Sequence, residues 1–283
     1  MNLKKHFIYF WKTDNSKIVF IRDILIALLA VFIVLLLLWS YTGQWLQAPM
    51  VAIESGSMEH TPPIHPTNPP FGRLGTIDAG DMVLVKKVYT INDIITHGGP
   101  FGGAQAENGW QSFGEYGDVI IFKPLGRDDT PQIIHRAMCW VDVHIQADTV
   151  TYTIAEYGIF SEETLTIPEL GLENKKPSWE HSGYLTKGDN NRVIDQITSI
   201  CPQPVKVEWI SGKARVEIPW LGTINLFFDD FLSGRLFTDK STVANVHTDC
   251  LICLGIVIVS LISIPVVLDI YDYQKEKKNK DKQ

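Results

Sequence analysis

Two long apolar runs lie near the two ends of the chain. The first is continuous over residues 24–39 and, with its flanks, predicts a membrane-spanning helix over residues 23–42. The second predicts another span over residues 250–268. A cleaved signal peptide is the alternative for the first run, because positive residues precede it. A buried core helix is the alternative for the second. The pattern as a whole favours a chain that is anchored in a membrane at both ends.

Between these runs, short stretches rich in Val and Ile alternate with turn residues, and no long amphipathic helix is evident. The Val- and Ile-rich stretches predict β-strands at residues 51–53, 82–88, 119–122, 133–143, 150–155, 205–210 and 214–218. Two stretches without a periodic apolar face, at residues 61–75 and 97–116, are expected to be loops or insertions, and a third, irregular stretch at residues 162–182 is expected to be an insertion on the surface. The fold prediction is therefore mainly β, an antiparallel β domain anchored by N-terminal and C-terminal transmembrane helices.

The basic residues indicate an orientation. Five Lys or Arg precede the first apolar run and five lysines follow the second, whereas residues 43–62 contain neither type. The positive-inside rule then predicts that both termini are cytosolic and that the middle of the chain is outside. Residues 1–22 are expected to form a cytosolic basic segment and residues 269–283 a cytosolic basic tail, which is expected to be disordered over residues 275–283.

Composition narrows the choice of partners. The 283 residues carry a net charge of −7, without a large basic domain, so nucleic acid is not expected as a partner. Cys139 and Cys201 lie in the outer region, where a disulfide is chemically permitted, but nothing in the sequence shows that they meet. Cys250 and Cys253 enter the second run and are expected to be lipid-facing or packed thiols. No metal-ligand cluster is evident, and neither a metal nor a cofactor is expected.

Three short segments contain the residue types of a hydrolytic triad. Residues 55–59 offer a serine at a glycine turn, residues 133–136 contain a histidine, and the segment from residue 186 to residue 195 contains two aspartates. A serine hydroxyl is a poor nucleophile unless a base lies within hydrogen-bond reach and an oxyanion can be stabilised nearby. Ser, His and Asp together supply those roles.

The order of the motifs resembles that of type I signal peptidases, the membrane-bound serine proteases that remove signal peptides from exported proteins. The matching segments are SGSME at 55–59, AGDMVLV at 79–85, GDVIIF at 117–122, IIHR at 133–136, LTKGDNN at 185–191, SGKAR at 211–215 and PWLG at 219–222. His135 stands where the bacterial branch of that family has a lysine base. The chain therefore resembles the archaeal and endoplasmic-reticulum branch, which uses a Ser–His pair.

The resemblance implies a role for each matching residue. Ser57 is expected to be the nucleophile and His135 the general base. Asp195 matches the acid of the triad, and Asp189 matches a second acid in the same region. The sequence favours Asp195 as the working acid but leaves Asp189 open. Ser55 is expected to join the Ser57 amide in an oxyanion hole.

The resemblance also implies a substrate. An extended peptide would lie beside an edge strand, with Val51, Ala52 and Ile53 as walls of small pockets for Ala-x-Ala-like residues. Residues 43–247 would then be an extracytoplasmic serine protease domain in a multi-pass protein of the cell membrane. It would cleave N-terminal signal peptides from secreted and membrane preproteins at the outer face. Expected partners are such preproteins, the lipid bilayer and the protein translocation machinery.

Some residues depart from the family pattern, and one alternative function stays open. His60 stands where the family usually has proline, and Ile194 and Gln196 replace an acid and an arginine that are common beside the triad acid. The alternative is a catalytically inactive, signal-peptidase-like subunit of a membrane assembly.

Overall fold

The computed structural model describes residues 9–45, 49–65, 69–106, 109–147 and 149–280. The chain divides into two compact units, Met1–Pro49 and Met50–Gln283. The described part of the first unit is dominated by helix α1, Ser16–Thr42. The Asn15 side chain accepts a hydrogen bond from the Lys17 amide and caps the helix, and Gly43 ends it in a left-handed conformation. The helix therefore begins seven residues before the predicted span, inside the expected basic segment.

The second unit is built on an eight-stranded antiparallel sheet. The strands of this unit are β1 Met50–Ala52, β2 Met82–Lys86, β3 Gln111–Ser112, β4 Glu115–Tyr116, β5 Val119–Phe122, β6 Ile133–Gln146, β7 Thr149–Ile154, β8 Ile159–Glu162, β9 Leu165–Ile167, β10 Leu172–Lys175, β11 Gly183–Lys187 and β12 Ile210–Ile218. Along the sheet the order is β1-β2-β12-β5-β6-β7-β8, and β11 also pairs with β6. Strands β3 with β4 and β9 with β10 form separate two-stranded sheets.

Most of the predicted strands are present, but the one predicted over residues 205–210 is wrong. Val207–Trp209 forms a single helical turn, and Val205 makes only an isolated bridge to Tyr184. Its apolar residues are buried all the same: Val205 packs in a core cluster with Ile120 and Tyr184. The chain turns here to enter β12, which begins at Ile210.

The stretch 162–182 is not the irregular surface excursion that was predicted. Strands β9 and β10 form a hairpin around the turn Pro168–Leu170, and Gly171 follows in a left-handed conformation. The hairpin and the segment after it contribute buried apolar side chains to one core cluster, namely Leu165, Ile167, Leu170, Leu172 and Trp179. The stretch 97–116 also differs from the prediction, because it contains the β3–β4 hairpin. The described residues of 61–75 contain no strand or helix, as expected.

Two further helices follow the last strand. Helix α2, Gly222–Leu232, was missed by the sequence analysis. Helix α3, Thr248–Lys280, has an apolar window long enough to cross a membrane, and none of that window is buried. The alternative of a buried core helix is therefore wrong. The expectation of a disordered tail from residue 275 is also wrong for the described residues, because Lys and Glu are good helix formers and the helix continues to Lys280.

All four cysteines are free thiols. Cys139 packs in the cluster that contains the β9–β10 hairpin, whereas Cys201 packs in the cluster with Ile120 and Tyr184. The permitted Cys139–Cys201 disulfide is therefore not formed. Cys250, in the first turn of α3, is a packed thiol in a cluster with Leu226 and Val246.

Candidate active site

Ser57 lies in a single helical turn, Gly56–Met58, that follows edge strand β1. Met58 is fully buried in the core beneath the turn and holds it in place. The turn is also bonded to the segment after β11. The Asn190 amide donates to the Ser57 carbonyl at 2.9 Å, and the Asn190 side chain donates to the Gly56 carbonyl at 3.0 Å. Two motifs that are more than 120 residues apart in sequence therefore position the same hydroxyl.

His135 links this hydroxyl to a carboxylate. It is buried on β6, opposite Ile120 of β5. Its Nε2 lies 3.0 Å from Ser57 Oγ, and its Nδ1 lies 2.7 Å from Asp195 Oδ2. A carboxylate only accepts hydrogen bonds, so Nδ1 carries the proton in this arrangement and Nε2 is free to accept from the serine. This is the geometry of a serine nucleophile, a general base and an orienting acid.

Asp195 is fully buried and uses one oxygen for its hydrogen bonds. Its Oδ2 accepts from His135 and also from the Thr186 hydroxyl, at 2.7 Å. Its Oδ1 is buried and has no hydrogen-bond partner among the described residues. The contacts that stabilise the Asp195 carboxylate are thus concentrated on the side that faces the imidazole.

Asp189 makes a different set of contacts. Arg136 donates to both of its oxygens, at 2.8 and 2.6 Å, and His60 Nε2 lies 2.9 Å from Oδ2. Burial alone would raise the pKa of Asp189, but the charge and hydrogen bonds of Arg136, with His60, outweigh it and hold that pKa well below the ordinary value. Of the two candidate acids, Asp195 contacts the imidazole of His135, and Asp189 forms a buried ion pair beside it.

His60 acquires a structural explanation from this ion pair. Besides contacting Asp189, its ring stacks on that of His65 at a centroid distance of 4.0 Å. The His65 Nε2 lies 3.2 Å from the Asp189 carbonyl oxygen. Sequence reasoning noted His60 only as a departure from the family pattern. A histidine in place of the usual proline was the only sign in the sequence that this position makes polar contacts of its own.

Two smaller features complete the surroundings of Ser57. The Ser55 hydroxyl is exposed and lies 3.4 Å from Ser57 Oγ. At Gly188, a Cβ atom would stand 2.5 Å from the Ser57 carbonyl oxygen and 2.9 Å from His135 Nε2. Only glycine permits this close approach of the backbone to the Ser–His pair.

Ser57 and His135 open into a cleft of about 670 Å³. Val51, Ala52 and Ile53, the predicted pocket residues, line it together with residues 131–134 at the start of β6. Strand β1 pairs only with β2 and is the first strand of the sheet, so one of its edges has no strand partner in the described sheet. An apolar cleft beside an edge strand has the chemistry to hold an extended peptide.

A set of contacts that sequence reasoning missed joins the serine turn to the start of α3. Glu59 is buried, and its Oε2 lies 2.9 Å from His247 Nε2. Arg73 lies between Glu59, at 3.8 Å, and Asp249, at 3.9 Å. The Asn245 side chain donates to the Glu54 carbonyl at 2.8 Å. Sequence carries no signal for such contacts, because their partners are about 190 residues apart.

Together the fold and the site define an antiparallel β domain with a Ser–His–Asp chain of hydrogen bonds, accompanied by two helices long and apolar enough to cross a membrane. The exposed apolar surface of those helices suggests membrane anchoring. No protein-family model matches this chain, and no curated protein sequence matches it. The geometry and chemistry of the site are therefore what supports a function.

Proposed function

We propose that this protein is a membrane-bound serine endopeptidase of the type I signal peptidase kind, with the Ser–His pair of the archaeal and endoplasmic-reticulum branch. It cleaves N-terminal signal peptides from secreted and membrane preproteins. The observation that carries the proposal is the continuous chain of hydrogen bonds from Ser57 through His135 to Asp195, which opens into an apolar cleft. The ordered set of motifs that resembles this family supports it independently.

In this mechanism Ser57 Oγ attacks the scissile carbonyl while His135 Nε2 takes its proton. Asp195 holds the imidazole in the tautomer that can accept this proton and stabilises the imidazolium that results. The Ser57 amide and the Ser55 hydroxyl stabilise the oxyanion of the tetrahedral intermediate. The imidazolium gives its proton to the leaving amine, and the acyl-enzyme forms. Water then hydrolyses the ester, with His135 again as the base.

The substrate binds as an extended strand beside β1. Main-chain hydrogen bonds to the edge strand supply affinity, and the cleft selects side chains by size. Its walls at Val51, Ile53 and Ile133 are apolar and branched, which suits the small apolar residues that precede a signal-peptide cleavage site.

Membrane anchoring brings the site to its substrate. With α3 crossing the bilayer, the contact between His247 and Glu59 holds the Ser57 turn close to the point at which this helix leaves the membrane. The lysines and arginines at the two ends of the chain favour cytosolic termini and an extracytoplasmic β domain. The apolar core of a signal peptide ends at the same outer surface, and the protein translocation machinery delivers it there.

The test is incubation of the detergent-solubilised full chain with a preprotein, followed by mass mapping of the products. We expect a single cut after a small residue at the end of the signal peptide. Ser57→Ala should lose this cut, whereas Ser233→Ala, which alters an exposed serine at the end of α2, should keep it. An unchanged cut with Ser57→Ala, or no cut with the unaltered chain, would refute the proposal.

A further inference from the structure

Helix α2 exposes an apolar face. Ile224, Phe228 and Phe231 follow the helical spacing of four and three residues, and Phe227 and Leu232 flank them. Their exposed fractions run from 36% at Ile224 to 82% at Leu232. The opposite face is buried at Gly222, Thr223, Leu226 and Asp230. A helix that lies between a protein core and water would carry polar side chains on its outer face, and this helix carries phenylalanines there.

A neighbouring loop adds to the same surface. Phe71 is 65% exposed and stands next to Gly72. The Gly72 amide donates to Asp249 Oδ2 at 3.0 Å, and a Cβ atom at Gly72 would lie 3.0 Å from Cys253 Sγ. Phe71 is therefore held at the level of the first turns of α3. Large exposed apolar side chains grouped near one helix end in this way mark an interaction site.

The buried face of α2 lies against the start of α3. Leu226 packs in one cluster with Val246 and Cys250, and Cys250 is the third residue of α3. The candidate membrane span begins in this same turn, at Thr248. A bilayer that accepted α3 would therefore have its outer boundary beside α2.

We propose that Phe71, Ile224, Phe227, Phe228, Phe231 and Leu232 form an aromatic collar that docks into the interfacial region of the lipid bilayer around α3. Helices that lie in the membrane plane bury an apolar face at the boundary between headgroups and acyl chains. The polar groups of α2 are compatible with this position, since Asp229 forms an ion pair with Arg235 and Asp230 accepts from the Ser241 hydroxyl.

Charge indicates which lipid chemistry the collar recognises. Helix α2 contains no Lys or Arg, so it has no residue of its own to attract anionic headgroups. Docking is then driven by apolar insertion, and a zwitterionic phosphatidylcholine bilayer is sufficient. Adding an anionic lipid should leave the docking unchanged.

Docking would fix the height of the cleft above the membrane. The Thr223 amide donates to the Gly80 carbonyl at 2.8 Å, and the Gly80 amide donates to the carbonyl of Ile53, a wall of the cleft, at 2.9 Å. This rigid path connects the collar to the place where a peptide would bind. The functional consequence rests on the proposed protease activity, whereas the docking itself does not.

The experiment measures the depth of the collar in the full chain. The variant Phe228→Cys also carries Cys253→Ser, so that the new cysteine is labelled selectively; the other three cysteines are buried. An environment-sensitive fluorophore is attached to the cysteine at position 228. The protein is reconstituted in phosphatidylcholine bilayers, and two quenchers are compared. One is a nitroxide carried by the lipids, and the other is iodide in the water. Phe160→Cys is the matched control, since Phe160 is 65% exposed on β8 and Phe228 is 57% exposed.

We expect the fluorophore at position 228 to be blue-shifted, quenched by a shallow nitroxide and insensitive to iodide, and the one at position 160 to behave in the opposite way. Quenching by iodide at position 228 would place the collar in water and overturn the docking. Protection from both quenchers would indicate a second copy or a protein partner on this face, which also overturns it.

A second measurement tests the consequence for activity. The double variant Phe228→Ser, Phe231→Ser should cleave a short soluble peptide as the unaltered chain does, but should cleave a bilayer-embedded preprotein severalfold more slowly. Equal rates on the embedded preprotein would overturn this consequence. Absence of any cleavage by the unaltered chain would instead refute the proposed protease function, and the quenching result would still decide the docking.

Discussion

Replacement of Asp195 by asparagine removes one charge and preserves the shape of the side chain. Asp195 Oδ2 accepts from both His135 Nδ1 and the Thr186 hydroxyl. An asparagine that presents its NH₂ group to Nδ1 would force the imidazole proton onto Nε2, where it blocks proton transfer from Ser57. The equivalent change in a Ser-His-Asp protease lowers kcat about 10⁴-fold, and we expect a loss of that order here. This corresponds to about 5.5 kcal/mol in the activation free energy.

Asp189→Asn is the matched comparison, because it makes the same chemical change at the other candidate acid. It removes the negative charge and one of the two oxygens that accept from Arg136, and loss of one partner of a buried pair destabilises a protein by about 3–5 kcal/mol. Arg136 keeps its bonds to the carbonyls of residues 112 and 115–117, which favours the lower end of that range. A loss of about 3 kcal/mol lowers Tm by about 6–12 °C in a domain of this size.

The assay combines single-turnover cleavage of a preprotein with thermal unfolding in the same detergent. Asp195→Asn should lose activity and keep its Tm within a few degrees of the unaltered chain. Asp189→Asn should have a lower Tm. While it is folded, its cleavage rate should stay within about tenfold of that of the unaltered chain, because Asp189 does not contact the imidazole. A loss of about 10⁴-fold with Asp189→Asn at an unchanged Tm would refute the assignment of the two acids.

Three further predictions follow from the site and its surroundings. Ser57→Ala and His135→Ala should each abolish cleavage and leave the protein in the membrane pellet after alkaline extraction; activity in either variant would remove that residue from the mechanism. Asp249→Asn should lower kcat more than it raises KM, because Arg73 connects Asp249 to the serine turn, and Asp249→Glu should restore part of the rate; an unchanged kcat would contradict this coupling. Burial, followed by the charge of nearby Asp81, raises the pKa of Glu217 to about 8. The folded chain thus holds a proton that the unfolded chain releases near pH 4.5, and stability falls as pH rises between these values. Glu217→Gln should reduce the drop in Tm from pH 5 to pH 8. A drop equal to that of the unaltered chain would argue against a raised pKa at Glu217.

The sequence predicted the elements whose apolar pattern is simple. The strands at 119–122 and 133–143 are rich in Val and Ile, and they are present as β5 and β6. The two apolar runs likewise form helices. The β9–β10 hairpin was missed because Pro168 and Gly171 interrupt its short apolar alternation. Helix α2 was missed although Ile224, Phe228 and Phe231 follow the helical spacing, because at eleven residues it is shorter than the long amphipathic helix that was sought.

The residues of the site were predictable as a set, but their connections were not. The motifs named Ser57, His135 and both aspartates, and the structure brings all four into neighbouring positions. The choice between Asp189 and Asp195 depends on how the chain turns after β11, and two acids that are six residues apart carry no local signal for that. The link from Glu59 to His247 depends on long-range packing of α3 and has no local pattern at all.

Acid-quenched turnover of a preprotein, followed by digestion and mass spectrometry, tests the central claim most directly. The proposed mechanism predicts a transient ester between the carboxyl end of the cleaved signal peptide and the hydroxyl of Ser57, and this ester should not form with His135→Ala. An ester on another residue, or cleavage at the same site by a chain that lacks Ser57, would contradict the account.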